Sequence, residues 1–344
     1  MLGLVKTQKG VGFMELRECP EPTPKSGEVL LEIKAAGICG TDVHVKHDRF
    51  PYWPPVILGH EFSAVVKELG PDCRIWKVGD RVVGEPHTRA CGVCYLCRTG
   101  NPQICPEKRS PGWGIDGCFA KYLCMPEKLL HRIPDGIDFD LAALAEPLGN
   151  TVHDVIERAR LTAGDFVVII GPGPIGLLAG QVAKAGGARH VVMVGAAPDE
   201  GLRLNTARAL GFETVLTAGK DNVEQAVKDL TGGIGADLVI DCSGAPRAIA
   251  GLPALARKKG TLCAIGLTGG RPVEFPWDDA CKKVLDLVFC MSTSYTCWDR
   301  ALSLLATGLV KPESIITHRL PLAKWEEAFA AIEDLSALKV ILHP

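Results

Sequence analysis

The sequence predicts an α/β protein of two domains, one mostly β and the other a doubly wound parallel sheet with helices on both faces. Three observations predict it. The chain from Gly3 to about Pro134 is rich in Gly and Pro and carries short alternating or apolar runs. Near Phe139 the texture changes, and from about Phe166 strand-like and helix-like pieces alternate. The length, 344 residues, is enough for two substantial cores.

In the first part Val29–Ala35, Phe62–Val66 and Arg81–Val83 read as strands bounded by turn residues. In the second, Phe166–Ile170, Val191–Val194, Thr214–Leu216, Asp237–Ile240 and Thr261–Ile265 are short β-branched or apolar runs. Helical stretches separate them at Ile175–Ala185, Leu202–Leu210, Val223–Leu230 and Arg247–Ala256. That order calls for parallel strands joined by helical crossovers. After about Asp286 a strand, a helix near Trp298–Ala306 and a last helix near Lys324–Ile332 close the chain. No internal repeat or low-complexity tail interrupts this plan.

Composition narrows the function. Net charge is −2 with no block of like charge, which argues against a nucleic-acid or membrane-surface partner. No apolar run reaches the roughly 18 residues that span a bilayer, and Met1–Gly12 lacks a signal-peptide core. The expectation is a cytoplasmic protein acting on a small molecule. In that reducing compartment its 14 cysteines would stay thiols or bind metal.

Four of them form a compact group: Cys91, Cys94, Cys97 and Cys105, at spacings of three, three and eight residues. A full shell of thiolates with no open position describes a structural zinc site. Disulfides are the alternative, and a reducing compartment opposes them.

Phe166–Ile170 runs straight into Gly171-Pro172-Gly173-Pro174-Ile175-Gly176 and then a helix. Between a buried strand and a helix, this glycine pattern points to a dinucleotide. Gly171 allows the turn, Gly173 lets backbone approach a pyrophosphate, and Gly176 lets helix and strand pack closely. Pro174 and Ile175 open the helix whose N-terminus would face the anion. A glycine-rich turn without ligand is the alternative. The second strand ends at Gly195, where an NAD site usually has a carboxylate for the ribose. Two to three extra residues within Ala196–Gly201 separate it from the helix containing Arg203, and Asp199 or Glu200 could supply the contact instead. The sequence leaves NAD and NADP both open.

Cys39-Gly40-Thr41-Asp42-Val43-His44, Gly59-His60-Glu61 and Ala145-Glu146-Pro147 offer a thiolate, an imidazole and carboxylates. Such a set leaves a coordination position open, as a catalytic zinc requires. Singly, each has an ordinary reading: a small core cysteine, a turn histidine, a carboxylate at a helix start. Their joint occurrence with the cysteine lobe and glycine loop favours the metal.

Together these motifs resemble the zinc-dependent medium-chain alcohol dehydrogenases, in their sorbitol/polyol and threonine dehydrogenase branch. The resemblance covers nearly the whole chain and includes the ending Ile316-Thr317-His318-Arg319-Leu320-Pro321-Leu322. It implies a GroES-like catalytic domain over 1–147, with 287–344 returning to it, and a Rossmann NAD(P)-binding domain over 148–286. It makes Cys39 and His60 constant ligands of a catalytic zinc, with Glu61 and Glu146 alternating as the carboxylate ligand. Asp42 would hold the His60 imidazole, and Thr41 would take the substrate proton and pass it toward His44. A homodimer or homotetramer, built partly on edge strands of the Rossmann sheet, is implied as well.

Glu146 stands where simple alcohol dehydrogenases have a cysteine, which points toward a secondary alcohol of a polyol or sugar-like compound. L-threonine 3-dehydrogenase-like oxidation is the alternative, and a zinc- and nucleotide-binding protein without turnover is a third reading. Ala64 replaces a family glycine after Gly59-His60-Glu61. Val288-Phe289 is followed by Cys290-Met291-Ser292-Thr293-Ser294-Tyr295 rather than by the arginine of sorbitol dehydrogenases. Ser294 and Tyr295 could hydrogen-bond another sugar alcohol or form an ordinary loop. Phe50, Tyr52 and Trp53 could wall the substrate cleft or plug the β domain.

Overall fold

Val29, Leu31, Ile33 and Ala35 take alternate positions on one extended run and are all buried, so one face of the strand they form is fixed against a core. The computed structural model describes Met1–Pro344. The chain divides into two units. The first holds Met1–Glu146, Ser292–Ala306 and Ile316–Pro344, and the second Pro147–Met291 with Thr307–Ile315.

In the first unit the strands are β1 (Leu2–Lys6), β2 (Met14–Glu18), β3 (Glu28–Gly37), β4 (Val56–Ile57), β5 (Glu61–Leu69), β6 (Arg81–Gly84), β7 (Tyr122–Pro126) and β8 (Leu130–Arg132). The second unit carries β9 (Phe166–Ile170), β10 (His190–Gly195), β11 (Thr214–Thr217), β12 (Ala236–Asp241), β13 (Ala256–Ala264) and β14 (Asp286–Phe289). The chain then returns β15 (Ile316–Pro321) and β16 (Lys339–His343) to the first unit.

A seven-stranded sheet runs β15-β16-β3-β5-β6-β8, with β7 also paired to β3, and β2-β1-β4 form a smaller sheet. Leu4, Leu31, Phe62, Phe119, Met125 and Phe329 lie in the core of this unit. Fully burying each such side chain stabilises by roughly 1.5–3 kcal/mol. In β3–β5 pairing Gly37 meets Glu61, and in β16–β3 pairing Ile341 meets Gly37. The two registers bring the start of β16 to the start of β5, which matters for the site.

The second unit is a six-stranded sheet of order β11-β10-β9-β12-β13-β14, parallel throughout. Its core is built from Phe166, Val168, Val192, Val194, Val239 and Leu262. Near-continuous apolar strands are what a sheet covered on both faces requires. Strand order reverses between β9 and β12, and ligands of such sheets bind beyond the carboxyl ends of the strands at that switch point. The glycine loop follows β9 there.

The structure departs from the predicted elements where polar residues dilute the pattern. β13 begins at Ala256 rather than Thr261 because Arg257-Lys258-Lys259 masks its first half. The β1–β2 hairpin was not read because β2 keeps no residue buried.

Candidate metal centres and dinucleotide loop

The four lobe cysteines converge. Cys91 and Cys105 Sγ lie 3.6 Å apart, Cys94 and Cys105 3.9 Å, and Cys91 and Cys97 4.0 Å. Zn–S bonds of about 2.3 Å in a tetrahedron put the sulfurs about 3.8 Å apart. Backbone amides of Cys91, Cys94 and Cys97 donate to Cys105, Cys91 and Cys94 Sγ at 3.4, 3.3 and 3.5 Å. Amides aimed at sulfur suit thiolates. At these separations no two of them are joined as a disulfide, and all 14 cysteines are free.

A second cluster forms from Cys39, His60 and Glu61, whose ligand atoms all lie within 4.8 Å of one another. Cys39 is the N-cap of the helix Gly40–Lys46, while His60 and Glu61 stand at the entry to β5. His60 is 6 % exposed, and its Nδ1 has no hydrogen-bond partner. Burial alone lowers its pKa, but negative charge on Cys39, Asp42 and Glu146 outweighs this and raises it to about 10. The pocket's field therefore seeks positive charge, which suits a dication in place of the proton.

Asp42 stands beside the imidazole as a buried ion-pair partner rather than as a hydrogen-bond acceptor. Its Oδ1 is 3.9 Å from His60 Nδ1, beyond hydrogen-bond reach. Instead Oδ2 accepts from the Cys39 amide at 2.9 Å and Oδ1 from the Gly59 amide at 3.3 Å. The first contact is the N3-to-N-cap half of a capping box, so both oxygens serve backbone. Asp42 thus ties together the two segments that carry the thiol and the imidazole. Thr41 Oγ1 lies 3.7 Å from Cys39 Sγ. His44 follows on the same helix, half-buried, with its pKa lowered by burial and by Arg49 and His47. Glu146 is buried and lies outside the 4.8 Å cluster, though its charge raises His60 and Lys339.

Sequence reasoning missed Lys339. It is 3 % exposed, and its Nζ donates to Glu61 Oε1 at 2.9 Å, Glu61 Oε2 at 2.8 Å and the Ile38 carbonyl at 2.9 Å. Burial lowers its pKa, but Glu61, Cys39 and Glu146 raise it above the ordinary lysine value. The only signal in the sequence was a lysine opening the apolar run Val340–Leu342 of the final strand, β16.

In the second unit, Gly173 caps the helix Pro174–Ala185, with Pro174 in its first turn. A Cβ on Gly176 would lie 1.9 Å from the Gly171 carbonyl oxygen, so only glycine lets the loop fold onto its helix. The free amides at that N-terminus can cradle a pyrophosphate.

Two family models match the chain: the alcohol dehydrogenase GroES-like domain over 25–135 and zinc-binding dehydrogenase over 174–307. A sorbitol dehydrogenase of Halalkalibacterium halodurans is 39 % identical, covering 100 % of this chain and 99 % of its own. This chain belongs to the zinc-binding alcohol dehydrogenase family. An L-threonine 3-dehydrogenase of Bacillus velezensis is 36 % identical, with 100 % and 99 % coverage. The solved alcohol dehydrogenase of Thermus sp. ATN1 superposes with a TM-score of 0.90 at 30 % identity, covering 100 % and 99 % of the two chains. The protein is thus a zinc-dependent, NAD(P)-linked alcohol dehydrogenase with a GroES-like domain and a Rossmann domain.

In this dehydrogenase the surroundings of Gly195 are crowded. A Cβ there would meet Leu204 at 2.8 Å and Asp199 and Pro172 at 3.0 Å. Asp199 accepts from Arg203 at 3.0 Å and from the Ala196 amide at 2.8 Å. Glu200 accepts from Lys220 and Thr217. Both carboxylates that could replace the missing one already have protein partners.

Tyr52 of the dehydrogenase is a plug: it is 2 % exposed and donates to Asp48 at 2.6 Å. Phe50 packs edge-on against Trp113, and Trp53 is exposed beneath Arg109. Ser294 and Tyr295 line a hollow of about 440 Å³ together with Glu85 and His87. Behind it Glu85 contacts His131 Nε2 at 3.1 Å, and His131 Nδ1 contacts Asp299 at 3.2 Å. These polar groups, brought together from distant segments, had no local sequence signal. No helix is long and apolar enough to cross a membrane.

Proposed function

We propose that this enzyme oxidises a secondary alcohol of a polyol or sugar-like compound with NAD(P), the first unit serving catalysis and the second the dinucleotide. The observation that carries the reading is the Cys39–His60–Glu61 cluster in an anionic pocket, with Glu146 at hand. Cys39, His60 and one carboxylate would hold the catalytic zinc, and Cys91, Cys94, Cys97 and Cys105 a structural one. When bound, the catalytic ion supplies Lewis acidity that lowers the pKa of a substrate hydroxyl.

Lys339 engages both oxygens of Glu61, which favours Glu146 as the direct ligand while Glu61 balances the charge beside it. The Thr41 hydroxyl accepts the substrate proton, and His44, kept largely neutral by burial, passes it on. Gly171, Gly173, Pro174, Ile175 and Gly176 would seat the pyrophosphate, and Gly195 and Arg203 would stand on the ribose side. The protein's task is then to align the carbinol hydrogen with the nicotinamide. Glu85, His87, Ser294 and Tyr295 offer partners for further hydroxyls of the substrate.

A screen of polyols, sugar acids and threonine with NAD and NADP, before and after chelation, tests the reading. Chelator-sensitive polyol oxidation is expected. Turnover of threonine alone favours the alternative, supported by the B. velezensis relative, and no turnover refutes both. Thr41→Val is expected to lower kcat by about 10²–10⁴-fold at normal zinc content, and an unchanged kcat removes the relay.

We infer a cytoplasmic homo-oligomer, supported by the unpaired edge of β14, where Leu287 and Phe289 are 40 % and 69 % exposed. Phe289→Glu is expected to reduce the mass seen by sedimentation to that of a smaller assembly, and an unchanged mass removes this edge as the interface.

A further inference from the structure

Beyond the zinc lobe and the catalytic cluster, the Rossmann unit holds a third group of cysteines at the carboxyl ends of its strands. Cys263 is the penultimate residue of β13, Cys290 directly follows β14, and their Sγ atoms are 3.5 Å apart. Two hydrogen bonds hold the backbone beside Cys290. The Cys290 amide donates to the Ala264 carbonyl at 3.1 Å, and Arg158 donates to the Phe289 carbonyl at 3.1 Å. Cys263 is fully buried, whereas Cys290 is half-buried.

We propose that Cys263 and Cys290 are a reversible modification site, with Cys290 the reacting sulfur and Cys263 its resolving partner, closed to a disulfide by a peroxide. A hydrogen bond from Cys263 and the positive charge of Arg158 outweigh burial and lower the Cys290 pKa. The Cys263 thiol is pushed upward, first by that hydrogen bond and then by burial. Of the two facing thiols, Cys290 is thus the more easily ionised and Cys263 the one that keeps its proton. That is the arrangement of a redox-reactive cysteine beside a resolving one.

The chemistry balances with a hydroperoxide as the named oxidant. The Cys290 thiolate attacks one peroxide oxygen, an S–O bond forms and the O–O bond breaks. The leaving hydroxide takes a proton as water, Cys290 is oxidised by two electrons to sulfenic acid, and the peroxide is reduced. The Cys263 sulfur then attacks Cys290, forming S–S and breaking S–O. The expelled hydroxide takes the Cys263 proton and leaves as a second water. The β13–β14 register pairs Cys263 with Val288, which makes Cys290 its diagonal neighbour, so closing the sulfurs to about 2.05 Å draws the segment after β14 toward β13.

Cys242 is the competing partner. It is half-buried, and the charge of Cys290 reaches it. Exposed Cys281 supplies an internal reference for an ordinary thiol.

The test treats zinc-loaded native enzyme with hydrogen peroxide at pH 7, quenches by alkylation and maps peptides by mass spectrometry. The expected product is a dithiothreitol-reversible cross-link between residues 263 and 290. Cys290 should react faster than the exposed Cys281. Cys263→Ser should leave a Cys290 sulfenic acid that dimedone traps, and Arg158→Gln should slow its formation. A cross-link to Cys242, or Cys290 reacting no faster than Cys281 in both native enzyme and Cys263→Ser, would overturn the proposal. Its failure would leave the alcohol oxidation untouched, since neither sulfur belongs to that site.

Discussion

Cys39→Ala is expected to remove one of two zinc ions per chain and to lower kcat/KM for alcohol oxidation by about a thousandfold or more. Lewis-acid stabilisation of the reacting oxygen is worth several kcal/mol, and each 1.4 kcal/mol is a factor of ten. The fold should survive, because the loss sits at the N-cap of a short helix, where Asp42 still accepts from the residue 39 and Gly59 amides. The lobe should keep its ion, since Cys91, Cys94, Cys97 and Cys105 satisfy one another locally. Elemental analysis beside steady-state kinetics checks both halves. A variant with full zinc and full activity would place the chemistry elsewhere.

What could be read in advance followed sequence distance. The cysteine cluster was legible because its four members lie within a stretch of fifteen residues. The nucleotide loop was legible because strand, glycine turn and helix are contiguous. Cys39 and His60 needed the resemblance, since neither type in isolation separates a ligand from a core residue. Asp42 was assigned to the imidazole because sequence gives no geometry. In the fold its position three residues after Cys39 makes the backbone amide the nearer donor. Lys339 was illegible in principle: its carboxylate partner is 278 residues away, and only the registers of β5, β3 and β16 bring the two together. The His131 contacts with Glu85 and Asp299 span 46 and 168 residues and were hidden for the same reason.

Lys339→Met is expected to cost the fold about 3–5 kcal/mol, the usual penalty for leaving one member of a buried ion pair unpartnered. Glu61 is 1 % exposed and both its oxygens rest on Lys339, so no water can replace the ammonium without rearrangement. Catalytic zinc should be affected too, because an unbalanced Glu61 carboxylate would compete with Glu146 for the ion. Urea unfolding of zinc-loaded protein measures the first effect, and competition with a chelator the second. The double replacement Lys339→Met with Glu61→Gln should recover much of the lost stability, since it removes the stranded charge. If the single variant were as stable as the parent, the pair would not be the buried brace that its distances describe.

The most direct measurement is zinc K-edge X-ray absorption of the purified enzyme, combined with the zinc content per chain. The account predicts two ions per chain in two environments. One is all sulfur at about 2.3 Å, and the other is a single sulfur with nitrogen and oxygen at about 2.0–2.2 Å. Loss of the second environment alone should follow Cys39→Ala. A single all-sulfur environment with one ion per chain in an enzyme that still oxidises alcohols would contradict it.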